Sequence, residues 1–360
     1  MTSQPILPAP APVSGSVQPA RVSLRVTPDG KLFSKISGHA GTMDRMVAAD
    51  DPVRIASISK LVTALGVMVL VDDATLDLDR DVGDYLGQPF RNPNFPDRPI
   101  SLRMLLSHTS GLRDGGEYFL PLDGKWTDLV AGRAAWDSAH PPGEYFSYAN
   151  LNSPIVAVIM ERATGERFDH LMQRLVMKPL GLNACFNWSG CDVISRQQAV
   201  TLLRPDGELA KDAPWTQSEE ECVFVAATNG GCDIRLYVTG ENGSSFGPQG
   251  GLRISARDLL KVANVLTNRG APLFSEKSFS EMTKPYWRFD GQNGDVEGGA
   301  FHAYGLGIDI QPGGWIGHVG DAFGLRAGLW VNQGSGEKRV QFVTMVDEKL
   351  PVGRCLDNCP

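Results

Sequence analysis

The sequence predicts an α+β fold in which the two ends of the chain share one antiparallel sheet and a mostly helical region lies between them. Three observations carry this. Near the start, Val22, Leu24 and Val26 alternate up to the turn Pro28-Asp29-Gly30, and Leu32-Phe33 and Ile36 return, as a hairpin over residues 20–38 would. Towards the other end, residues 304–310, 315–319, 325–331 and 340–346 alternate as strands, with short turns joining the later ones, so they are expected to pair antiparallel. From about residue 60 to 290 the pattern is mainly helical, and the strand–helix alternation of a doubly wound sheet is missing.

The elements follow in order. Residues 54–64 open a helix, and the almost wholly apolar run 61–70 places it in a core. Residues 73–85 are acidic and turn-rich and end in a short amphipathic piece. Residues 101–112 read as a short helix capped by Ser101 and stopped by Gly111. A further helix is expected over 126–135, and Pro141-Pro142-Gly143 forces a turn. Helices over 151–163 and 168–177 come next, with Pro179 and Gly181 ending the second. Residues 183–247 carry most of the cysteines and little periodicity, a loop-rich insertion expected to shape a pocket. Ser255 caps an amphipathic helix reaching residue 268, with Asp258 at its third position and Gly270 beyond its end. Residues 275–283 form another.

Composition narrows the possibilities. The 360 residues are read as a flexible Pro-rich leader (1–19), one unit (20–350) and a tail (351–360). A net charge of −7 and a pI near 5.4 argue against nucleic acid or an anionic membrane as partner. The longest apolar run is too short to span a bilayer. Residues 1–19 lack the basic start and apolar middle of a signal peptide, so the protein is cytosolic or a signal has been replaced by Met1. The six cysteines fall in close pairs, Cys185/Cys191, Cys222/Cys232 and Cys355/Cys359. That favours disulfides over free thiols, and a periplasmic or secreted location over a cytoplasmic one. His39, His108, His140, His170, His302 and His318 show no metal-ligand spacing. No metal or cofactor is expected, and the sequence sets no oligomeric state.

Ser57 and Lys60 carry the first chemical signal. Residues three apart on a helix share a face, with Cβ atoms about 5–6 Å apart. A buried helix holds its lysine out of water, which lowers the lysine pKa, and a neutral lysine can take a serine proton. The N-terminus of a helix also offers unpaired N–H groups to a reacting oxygen. Ser-x-x-Lys by itself says little. A second match, Ser335 to Lys338, lies in a Gly-rich polar stretch that reads as a hairpin turn. Two further motifs follow Ser57 in order: Tyr148-Ala149-Asn150, and His318-Val319-Gly320 at the end of a predicted strand.

With this set in order, the chain resembles the serine β-lactamase-like hydrolases: class C β-lactamases, penicillin-binding DD-peptidases, D-aminopeptidases and family VIII carboxylesterases. The resemblance runs from about Val22 to Val346. It is strengthened by Leu105-Leu106-Ser107-His108-Thr109-Ser110-Gly111-Leu112, by Gly250-Gly251-Leu252 followed by Ser255-Ala256-Arg257-Asp258-Leu259, and by Tyr304-Gly305-Leu306-Gly307. It implies a β-lactamase/transpeptidase-like fold and an acyl-enzyme on Ser57, with Lys60 in its proton network. Tyr148 would be the general base, its phenol pKa lowered by nearby cations. Asn150 would orient Lys60 or a substrate amide. The backbone N–H groups of Ser57 and Asp321 would form the oxyanion hole, and His318 and Gly320 would line the substrate site.

The chain departs from the pattern at one position. Many class C β-lactamases and DD-peptidases place a lysine and a threonine where His318 and Val319 stand, and these hold a substrate carboxylate. A largely neutral histidine and a valine suit a neutral ester, or an amide or peptide without that carboxylate, better than a β-lactam. The substrate is therefore expected to be a small ester, amide or peptide, chosen by residues 183–247 and the loop 118–126, with Trp126, Trp188, Trp215 and Trp287 as candidate pocket walls. Alternatives are a penicillin-binding or β-lactamase-type protein acylated by β-lactams, and a scaffold that kept the fold without turnover. A rival nucleophile, Ser245 in Gly243-Ser244-Ser245-Phe246-Gly247, matches the elbow of α/β-hydrolases. Pro248 and Gly250-Gly251 deny it the long helix that must follow.

Overall fold

A computed structural model describes residues 17–41, 45–204, 206, 208–209, 223–295 and 301–345. The leader expected over 1–19 lies mostly outside these residues, as do the tail, Cys222, Cys355, Cys359 and Trp215. The main sheet has eight antiparallel strands, named here in chain order: β1 (Arg21–Val26), β2 (Leu32–Ser37), β6 (Trp287–Arg288), β7 (Ala303–Tyr304), β8 (Asp309–Gln311), β9 (Trp315–Ala322), β10 (Leu325–Asn332) and β11 (Lys338–Val343). Their order is β2-β1-β11-β10-β9-β8-β7-β6. The ends of the chain meet at β1 and β11, where Val22 faces Phe342 and Leu24 faces Val340, all four buried. β2 is the edge strand and is exposed along its length. A second, three-stranded sheet joins β3 (Val53–Arg54), β5 (Leu252–Ile254) and β4 (Cys185–Phe186). Strands of two or three residues are too short to show a period, so the sequence did not announce them.

Helix α1 (Ile58–Asp72) is the centre of the packing. It is buried at nearly every position, as a helix apolar all round must be. One side lies on β9 and β10, the other on the segment 168–177. Each fully buried Leu, Ile or Val here contributes about 1.5–3 kcal/mol. Gly307 explains why the predicted strand 304–310 is split into β7 and β8. Its φ is +65°, and a Cβ there would sit 2.6 Å from the Ala64 Cβ on α1. The chain bends at this residue to let the helix in close.

Other elements differ from expectation at their ends. The helix begun at Ser101 covers only Leu102–Leu106, because His108 takes φ +56° and breaks the helical path before Gly111. Residues 126–135 form a short helix, Trp126–Val130, and a 3₁₀ turn, Arg133–Ala135. The stretch 168–177 starts as Phe168–Met172, widens into a π turn over Gln173–Met177 and resumes as Lys178–Leu180. Pro179 therefore sits in a first turn, where its missing N–H costs little, and Gly181 ends the run. Ser255 caps the helix Ala256–Thr267, accepting from the Asp258 N–H at 3.1 Å. No helix among the described residues is long and apolar enough to cross a membrane. Cys185 and Cys191 form a disulfide, and Cys232 is disulfide-bonded.

Candidate active site

Ser57 stands where β3 turns into α1. Ala56 before it has φ +48°, a left-handed conformation that costs an alanine about 1–2 kcal/mol. Ser59 fastens the turn: its hydroxyl donates to Ala56 O (2.6 Å) and accepts from Leu252 N–H on β5 (3.0 Å). The Ser57 side chain makes no capping bond to its own helix, so its oxygen is left for other work.

Lys60, one turn on, is buried among acceptors. Its Nζ lies 3.0 Å from Ser57 Oγ, 2.7 Å from Asn150 Oδ1 and 2.9 Å from Gln249 O. Burial lowers its pKa to about 7, with Asp114 pulling the other way. Asn150 and Tyr148 come from the loop before the helix Asn152–Thr164. Asp114 shapes that loop, accepting from Asn150 N–H (2.9 Å), Asn150 Nδ2 (2.8 Å) and Leu151 N–H (3.0 Å). Sequence reasoning missed both Asp114 and Gln249. Asp114 stands three residues beyond a glycine in an unremarkable turn, and Gln249 acts through a backbone carbonyl that any residue would supply.

The Tyr148 hydroxyl is buried and has no hydrogen-bond partner of normal geometry among the described residues. The Lys60 Nζ lies 4.8 Å from its ring centroid. The resemblance implied a phenol pKa lowered by such a cation. Burial instead raises it, the Ser57 hydroxyl opposes that, and Asp114 adds to it. The phenol holds its proton at neutral pH, and Lys60 is the group poised to lose one.

His318 on β9 lies behind the cavity wall, fully buried. Its Nδ1 is 2.6 Å from Val319 O, which can only accept, so Nδ1 carries the proton. Its Nε2 then accepts from the Tyr304 hydroxyl (2.8 Å). Burial, helped by the Lys60 charge, lowers its pKa to about 3. His108 underlies Tyr148, with ring centroids 4.4 Å apart, and its Nδ1 accepts from Ala149 N–H (3.2 Å). Gly320 lets β9 meet the Ser57 turn, because a Cβ there would fall 2.1 Å from Ile55 O. Asp321, the next residue, lines the same cavity as Ser57. The Asp321 carboxylate pairs with Arg326 on β10 at 2.8 Å.

These groups border a cavity of about 700 Å³ lined by Ser57, Tyr148, Asn150, Gln249, Val319 and Asp321, with Tyr118, Phe119, Phe301 and Phe323 as its aromatic walls. Trp126, Trp188 and Trp287, expected as walls, are instead buried in packing. Their size makes them better core than rim. The described part of 183–247 contributes no lining residue, whereas Tyr118 and Phe119 come from the expected loop. The rival Ser245 is tied into a turn, its hydroxyl donating to Asn242 Oδ1 (3.2 Å). Ser335 sits in the turn between β10 and β11 as expected.

A model of the β-lactamase family matches residues 18–349. The chain belongs to this family. Among curated relatives, it is 29% identical over 142 residues to the D-alanyl-D-alanine-carboxypeptidase/endopeptidase AmpH of Escherichia coli K12, covering 37% of this chain and 36% of the relative. It is 34% identical over 173 residues to penicillin-binding protein 4 of Amycolatopsis lactamdurans, covering 45% and 43%. The matched stretch thus spans less than half the length of these relatives. Two solved structures share the β-lactamase/transpeptidase-like fold. The octameric penicillin-binding protein homologue of Pyrococcus abyssi superposes with TM-score 0.68 at 20% identity, over 91% of this chain and 70% of that one. The D-amino acid amidase of Ochrobactrum anthropi SV3, complexed with L-phenylalanine, gives 0.67 at 19%, over 92% and 88%.

Proposed function

We propose that this family member is a serine hydrolase working through an acyl-enzyme on Ser57, with small amides, peptides or esters as substrates. The observation that carries this is the contact of Ser57 Oγ with a buried Lys60 whose pKa is lowered to about 7. About half of the molecules then hold a neutral amine against the nucleophile at neutral pH.

The steps follow from the geometry. Ser57 Oγ bonds to the substrate carbonyl carbon as its proton passes to Lys60 Nζ. The developing oxyanion is met by the N–H groups of Ser57 and Asp321. The carbon–nitrogen or carbon–oxygen bond breaks, and the leaving group takes a proton from the Tyr148 hydroxyl, which Lys60 restores. Tyr148 is suited to this acid role because burial keeps its phenol protonated. Water then attacks the ester on Ser57, releasing the acid and returning the serine proton. Asn150, bonded to Lys60, keeps the amine aimed.

Amide and peptide substrates agree with the similarity to a D-alanyl-D-alanine-carboxypeptidase/endopeptidase and to a D-amino acid amidase. β-Lactam turnover is less well supported, since a neutral, buried and inward-bonded His318 stands at the position where many class C β-lactamases and DD-peptidases place a lysine. The Cys185–Cys191 bridge supports an oxidising compartment outside the cytoplasm. The test is intact-mass spectrometry on the protein mixed with a p-nitrophenyl ester, followed by peptide mapping. A transient acyl group on Ser57, absent in Ser57→Ala and retained in Ser245→Ala, is the expected result. A persistent adduct would favour the penicillin-binding reading. Loss of hydrolysis in Ser245→Ala, with stability unchanged, would overturn the assignment.

A further inference from the structure

We infer that His108 is a positioning residue for Tyr148: it takes both backbone N–H groups that flank the tyrosine, and so fixes the phenol where the leaving group needs its proton. This rests on the acid role of Tyr148 proposed above and deepens it.

The first observation is a bracket. The His108 carbonyl accepts from Ser147 N–H at 2.9 Å, and its Nδ1 accepts from Ala149 N–H at 3.2 Å. One residue thus holds the backbone on either side of Tyr148. Its ring also lies against the tyrosine ring, with centroids 4.4 Å apart and planes at 31°. The neighbouring Thr109 carbonyl accepts from Gly143 N–H at 2.7 Å, earlier in the same connection.

The second observation is that the imidazole acceptor is itself held. Ser110 Oγ accepts from Leu112 N–H (3.2 Å) and donates to Asn152 Oδ1 (2.6 Å). The Asn152 Nδ2 then donates to Ala149 O (3.1 Å) and to His108 Nδ1 (3.1 Å). Two donors converge on Nδ1, so it carries no proton, and the ring proton sits on Nε2. Burial, with the Lys60 charge adding to it, holds the His108 pKa well below its ordinary value. The ring stays neutral and Nδ1 keeps its lone pair.

The third observation is the backbone of His108. It sits at φ +56°, a left-handed conformation uncommon outside glycine, and the residue is buried. Such conformations persist where the surroundings over-determine them, and they gather at active sites. The surroundings here include the loop that carries Tyr148. A phenol displaced by about 1 Å would lose about 100-fold in proton transfer.

The experiment compares kcat/KM for p-nitrophenyl butyrate and ethyl butyrate, which form the same acyl-enzyme. The p-nitrophenolate leaves without a proton and ethoxide does not. The ratio of the two therefore reports leaving-group protonation, and a general loss of active protein does not move it. It is measured on the full chain, on His108→Leu and on His108→Asn. Asparagine puts an oxygen close to the place of Nδ1 and tolerates a left-handed φ; leucine has its shape without the acceptor. His108→Leu should slow the ethyl ester by about 100-fold and the p-nitrophenyl ester by less than about fivefold, and His108→Asn should recover most of the ethyl-ester activity. If leucine prevents folding, His108→Gly, which takes this φ freely, replaces it with the same expectation. In a Tyr148→Phe background the same change should leave the ratio where Tyr148→Phe alone sets it. Equal losses on both esters, an asparagine variant as slow as the leucine one, or a ratio that still moves without the Tyr148 hydroxyl would overturn the inference. A wild type inactive on the ethyl ester, or a ratio unchanged in Tyr148→Phe, would instead refute the acid role of Tyr148 on which the inference rests.

Discussion

Acid should silence this enzyme through Lys60, and the size of the effect follows from where the lysine sits. Its pKa falls from 10.5 to about 7, chiefly because α1 and the loops over it exclude water. At pH 7 a lysine of ordinary pKa would be neutral in about one molecule in 3,000, against about one in two here. On the proposed mechanism, in which the neutral amine accepts the serine proton, kcat/KM should drop as pH falls through about 7. Between pH 8 and pH 5 the loss should be about 100-fold, tenfold for each unit below the midpoint. The assay is hydrolysis of a neutral, non-titrating ester such as p-nitrophenyl butyrate, read at the isosbestic wavelength of the product. Asp309 on β8 is raised to about 7 by burial, against the pull of its hydrogen bond from Gln311. Asp309→Asn should therefore leave the acid limb in place. Asp114→Asn should move the limb to lower pH, because Asp114 holds the Lys60 pKa up. A flat profile from pH 5 to 8, or a midpoint above 9, would refute a neutral lysine base.

Two structural predictions follow. Gly320→Ala should lower stability by about 1–3 kcal/mol and cut activity by more than about 100-fold, because the new Cβ meets Ile55 O at 2.1 Å and neither backbone can yield. The control Gly334→Ala, whose Cβ would find only the Asn332 side chain at 3.5 Å, should melt within a few degrees of wild type. Cys185→Ser with Cys191→Ser should cost about 2 kcal/mol, the loop-closure value for residues six apart, read as a lower midpoint in urea. An unchanged midpoint would mean that the bridge is not formed in solution.

Much of the fold was written in local sequence. The N-terminal hairpin, the buried helix after Ser57 and the closing strands β9 to β11 each carry a period of two or a continuous apolar run, and such patterns report burial without reference to the rest of the chain. Part of the candidate site was legible in the same way, since Ser57 and Lys60 are brought together by one helical turn. Other features depend on distant segments. The second sheet rests on pairs such as Val53 with Ile254, set only when the chain folds back. Tyr148 met its cation as expected, yet its titration was set by the wall of protein around it. His318 reads as a site residue in sequence, and becomes a buried, inward-bonded group because Tyr304 waits beside it. Asp114 carries no motif at all. What makes it matter is that three N–H groups of residues 150 and 151 close on it, and only the tertiary structure brings an exposed carboxylate 36 residues upstream to that loop.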